Sequence, residues 1–232
     1  MRARGAAAVA VFGIAVAAAY ALKRFYSTAS ADDLRWILAP TTWLVEIAGG
    51  HRFDRTSAGY LSGPLRFLIA PACAGVNFLL AAFGALVLGF VRPARPAVQN
   101  VLVLLASAAA AYVATLLANA ARILIAVELW VHRVSYGWLR GARLHELAGI
   151  VVFVAALLLL FAGARRVARA PVRAWVALVP YAGVTVLVPL LRGAQRGAAF
   201  WTHAALVAAV VLAAAGASVL AQRRARRADS PG

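Results

Sequence analysis

The chain has 232 residues, 64% of them hydrophobic, and a mean hydropathy of +0.84. A soluble core of this length cannot bury so much apolar surface, which excludes an ordinary soluble domain and marks an integral membrane protein. The formal charge of +17 comes from 24 Lys and Arg against 7 Asp and Glu. The arginines are scattered through short inter-span segments with no single basic domain, so no nucleic-acid partner is expected.

Crossing the hydrocarbon takes about 20 apolar residues. In chain order, residues 5–22, 74–91, 98–118, 147–163, 174–191 and 198–221 meet that need. They predict an all-α polytopic membrane protein of about six transmembrane helices in a single integral domain, residues 1–232. The first span has the basic start and small residues of a signal peptide, and it is read as retained. Such a topology brings both termini to one side. Arg2 and Arg4, Arg92 and Arg95, Arg165, Arg166, Arg169 and Arg173, and Arg223, Arg224, Arg226 and Arg227 all fall on that side. Basic residues close to span ends are retained in the cytoplasm, so cytoplasmic termini are expected. The opposite segments hold similar numbers of basic residues, diluted over longer loops and accompanied by Asp32, Asp33, Glu46, Asp54, Glu128 and Glu146.

The outer loop, residues 23–73, is too long for a simple connector, and long loops more often carry function. Trp36 and Trp43 among aliphatics predict an interfacial helix over residues 32–46, interrupted at Pro40. Gly49 and Gly50 end it. The turn residues and β-formers from His51 to Ala70 then predict a small β-hairpin that leads into Cys73 and has an edge able to hold an extended peptide.

Three reactive residue types reach one membrane boundary in this topology. Cys73, the only cysteine, stands in Pro71-Ala72-Cys73-Ala74-Gly75-Val76 at the start of the second span. Arg122 follows the third span in Asn119-Ala120-Ala121-Arg122-Ile123, and His145 opens the fourth beside Glu146. Each has an ordinary alternative: a small inert thiol, a snorkelling arginine, an interfacial histidine with Glu146 at a helix start. Together they supply what acyl transfer from a cysteine needs, namely a favoured thiolate, an oxyanion donor and a proton carrier. Asn77 and Asn119, one helical turn from Cys73 and Arg122, are candidates for orienting His145 or the substrate backbone.

Across residues 49–152 these ordered signatures resemble the exosortase and archaeosortase family, and the small one-domain size is similar to the exosortase K branch. The resemblance implies a cysteine protease or transpeptidase in the bacterial cytoplasmic membrane, with its active site on the outer face. Cys73 would be the nucleophile, Arg122 the transition-state stabiliser and His145 the general acid and base. The implied partners are the lipid bilayer, membrane-anchored proteins with C-terminal sorting tails, and an acceptor nucleophile of unspecified kind. No cofactor and no metal are expected. His145-Glu146 is half of a zinc motif, but position 149 is Gly149, and His51, His132 and His203 lack ligand spacing. The alternatives from other classes are a small-solute or proton transporter and a non-catalytic scaffold for surface-polymer export.

Overall fold

Long runs of Ala, Val and Leu with few breakers propagate as helices, and those helices dominate the architecture. The computed structural model describes residues 2–134, 141–191 and 197–228, and their side chains except at 2–4, 142, 174, 199 and 221–228. The basic clusters at Arg2/Arg4 and Arg223–Arg227 therefore lie outside the described side chains. Among the described residues the long helices are α1 Arg2–Tyr26, α3 Val76–Phe90, α4 Ala97–Val131, α5 Gly141–Ala168 and α8 Ala198–Ala228, with a shorter α2 at Arg35–Gly49. Among the described residues five helices are long and apolar enough to cross a membrane, and the chain is a multi-pass, largely helical membrane protein.

The hub is α3. Apolar on every face, its span is 67% buried, while the other four are 11% to 28% buried. A helix hydrophobic all round belongs inside, and α1, α4 and α5 pack around this one. Small residues admit close neighbours: the Phe161 ring of α5 sits against Gly89, and Pro180 against Gly84.

Two expected spans differ in form. The helix begun at residue 97 does not stop at Ala118 but runs on to Val131, so Arg122 lies inside a continuous helix. At 35 residues it is about 52 Å long, well beyond the hydrocarbon thickness. Residues 174–191 form an irregular rod in place of a uniform span: a 3-10 turn at Ala174–Ala177, α6 Leu178–Ala182, a π turn at Gly183–Leu187 and α7 Val188–Leu191. Pro189 offers no N–H to the Thr185 carbonyl four residues back, which disturbs the α-ladder there. Thr185 Oγ1 in turn donates to the Tyr181 carbonyl at 2.6 Å.

Residues 27–70 form a cap at one end of the bundle. Ser30 and Asp33 bond reciprocally ahead of α2, and the Ser30 backbone N–H, then its hydroxyl, hold the Asp33 carboxyl below the usual carboxylate range. Contrary to the expected interruption, α2 runs through Pro40 unbroken. Proline orphans the carbonyl four residues earlier, that of Trp36, and the Tyr112 hydroxyl of α4 donates to it at 2.7 Å. Leu34, Ile37, Leu38 and Val45 bury against the bundle, leaving Trp43 exposed.

The expected hairpin carries a third strand. β1 Asp54–Thr56, β2 Gly59–Ser62 and β3 Phe67–Ile69 form an antiparallel sheet in that order, with Arg55 opposite Tyr60 and Leu61 opposite Leu68. Glu46 of α2 accepts the Phe53 N–H at 2.9 Å, and Trp130 Nε1 at the far end of α4 donates to the Leu65 carbonyl at 3.1 Å. These bonds anchor the sheet, so the chain leaving β3 enters the bundle from a held position.

Candidate active site

Cys73 closes a 3-10 turn, Pro71–Cys73, directly after β3. Its N–H bonds to the Ala70 carbonyl at 2.8 Å, and the Ala74 N–H to the Pro71 carbonyl at 3.0 Å. The chain then reverses into α3 through Gly75, whose φ of +73 is left-handed. A β-carbon there would also stand 3.1 Å from Asn119 Cγ. Gly75 thus serves both the turn that presents the half-buried thiol and the approach of α4. Gly75→Ala is expected to cost about 2 kcal/mol, from backbone strain and the displaced Asn119. The checks are thermal unfolding in detergent and the alkylation rate of Cys73, both of which should change.

Asn119 and Arg122, one turn apart on α4, converge on that turn. Asn119 is fully buried; its Nδ2 donates to the Cys73 carbonyl at 2.5 Å and its Oδ1 accepts from Arg122 Nε at 3.1 Å. Arg122 Nη2 reaches the same Cys73 carbonyl at 3.5 Å. The guanidinium lies 5.4 Å over the Phe153 ring, which stacks on Phe78 at 4.8 Å. Gly149 leaves the room, since a β-carbon there would sit 3.3 Å from Arg122 Cδ. Arg122 is therefore held in orientation by the turn, by Asn119 and by an aromatic face.

Arg122, His145 and Asn77 line one cavity of about 350 Å³ together with Ala72, Gly75 and Val76 from either side of Cys73, while Cys73 itself is not among the lining residues. His145 sits in the first turns of α5. Asn77 bonds neither His145 nor Arg122: its Oδ1 accepts from Lys23 Nζ at 2.5 Å. Asn119 likewise orients the Cys73 backbone and Arg122, not His145. A wider depression of about 490 Å³ lies near Arg165, Arg166 and Arg169, at the other end of α5, and has no nucleophile.

Several lining residues escaped the sequence. Tyr26 ends α1 beside the cavity, and its hydroxyl donates to the Pro71 carbonyl at 3.5 Å. Tyr181 and Thr185 enter through the irregular rod, where a proline pair inside an apolar segment was the available signal. Glu146 and His203 face each other across the same space, 2.5 Å apart. His203, a polar residue near the start of an apolar span, carried the same signal as His145 but lacked a recognisable motif. Among the described residues no group of three or more His, Cys, Asp or Glu is placed to hold a metal ion.

A family model described as transmembrane exosortase matches residues 35–162, from α2 into α5. Comparison with the curated proteins and with the solved structures gave no match.

Proposed function

Because the chain belongs to the transmembrane exosortase family, we propose that it is a cysteine protease or transpeptidase that cleaves C-terminal sorting tails of exported proteins at the outer face of the bacterial cytoplasmic membrane. The observation that carries this reading is the convergence of Asn119 and Arg122 on the Cys73 turn, with Arg122 and His145 facing one cavity.

In the proposed reaction His145 takes the Cys73 thiol proton and the sulfur attacks a peptide carbonyl carbon. A C–S bond forms and the carbonyl oxygen takes the negative charge, which Arg122 stabilises by donating to it. Collapse breaks the C–N bond, and His145 gives its proton to the departing amine, leaving a thioester on Cys73. An acceptor then attacks the thioester carbon, and Cys73 leaves as thiolate. The substrate's own span lies beside the enzyme's helices, so the bilayer contributes to positioning the scissile bond. The termini lie in the cytoplasm, and no cofactor takes part.

The test is co-expression with a membrane reporter bearing a tail composed of a short motif, a span and a basic end. Wild type is expected to shorten the reporter. His145→Ala should slow processing by about 10²- to 10⁴-fold at equal expression, and unchanged processing would contradict the role given to His145.

A further inference from the structure

The cavity holds a second pair of titratable side chains that bond cleavage leaves unused. His203 of α8 and Glu146 of α5 meet with Nδ1 and Oε1 2.5 Å apart, their side chains 34% and 32% exposed. His203 lies outside the residues matched to the family. An ionised carboxylate only accepts hydrogen bonds, so in the neutral imidazole Nδ1 carries the proton and Nε2 keeps its lone pair. A carboxylate that fixes the tautomer and steadies the imidazolium is what makes a histidine an effective general base. Among the described residues no carboxylate hydrogen-bonds His145, and the neighbouring Glu146 carboxylate bonds His203 instead. The cavity, of about 350 Å³, is lined both by this pair and by Ala72 and Gly75 of the Cys73 turn, so an acceptor entering it comes within one small space shared by the two.

We infer that the Glu146–His203 pair is the acceptor side of the site, where His203 activates a hydroxyl, that of water or of an alcohol, for attack on the acylated thiol. The inference rests on Cys73 being the nucleophile. A hydroxyl is too weak an acid to ionise unaided, which is the need a carboxylate-backed imidazole meets. In the step, His203 Nε2 takes the hydroxyl proton as the oxygen bonds the thioester carbon. The C–S bond then breaks, the electron pair returns to Cys73 as thiolate, and the product is a carboxylic acid or an ester.

Cys73 is the only cysteine, so a small activated ester can load it without the natural substrate. Purified full-length wild type, His203→Gln and Glu146→Gln are treated with 4-nitrophenyl acetate, and the thioacetyl adduct is followed by intact mass. The adduct is then chased with buffer, buffer plus glycerol, or hydroxylamine. His203→Gln is expected to slow loss of the acetyl group to water and glycerol by about 100-fold, with a smaller effect for Glu146→Gln. Hydroxylamine, which needs no base, should discharge all three proteins alike and so report an intact, reachable thioester. Faster discharge of wild type in glycerol identifies an alcohol acceptor, and equal rates identify water.

Wild-type discharge rates in His203→Gln overturn the inference. Should that variant fail to fold, a wild-type rate in the near-isosteric Glu146→Gln overturns it equally. Absence of any adduct on folded wild type, with the thiol reactive once denatured, instead removes the nucleophile on which the proposed function rests.

Discussion

Cys73→Ala is expected to abolish both thioester formation and tail cleavage, lowering processing at least about a thousandfold at unchanged expression. The chain has no second thiol to substitute, so residual turnover can come only from positioning and oxyanion stabilisation. The replacement should be nearly neutral for folding, because the thiol is only half-buried and the turn is held by backbone atoms of Cys73, not by its side chain. Measuring reporter processing alongside the unfolding temperature separates the two effects. Full processing by a well-folded alanine variant would sink the nucleophile and favour a scaffold or a transporter.

Arg122→Gln is expected to lower the rate of acyl-enzyme formation by about 10²- to 10³-fold, the usual loss when one donor to a developing oxyanion is removed. Arg122→Lys should recover little of this. Lysine keeps the charge but cannot bond Asn119 and the Cys73 carbonyl as a planar fork while lying over the Phe153 ring. Removing the guanidinium also deprives the buried Asn119 Oδ1 of its donor, for which about 1 to 3 kcal/mol of stability is at risk. The unfolding temperature should therefore fall together with the rate. Wild-type rates in Arg122→Lys would reduce the arginine to a point charge.

Cys73, Arg122 and His145 could be singled out as candidates because each stands near the edge of an apolar run, Cys73 as the only cysteine and the other two as basic residues among apolar neighbours. The bundle was legible from those apolar runs. The extent of α4 was not: Arg122 and Glu128 lower the hydropathy beyond Ala118 without ending the helix, whose C-terminal stretch is held by α2 and by the Trp130 bond to the sheet. Pro40 suggested a break because the hydroxyl that satisfies the Trp36 carbonyl comes from Tyr112, a residue distant in sequence. Glu146 looked like a favourable charge at a helix start because its partner, His203, belongs to another helix. Local pattern reveals residues that matter alone, and tertiary packing reveals those that matter in pairs.

The central claim is that the polypeptide is carried on Cys73 between cleavage and transfer. Its most direct test is intact-mass analysis of the purified enzyme during processing of a tail-bearing substrate, with and without hydroxylamine. The account predicts a covalent adduct on Cys73 equal to the substrate without its tail, discharged by hydroxylamine as the hydroxamate and absent from Cys73→Ala. Cleaved substrate that appears with no adduct on Cys73, and with a free carboxylate even in hydroxylamine, would contradict it.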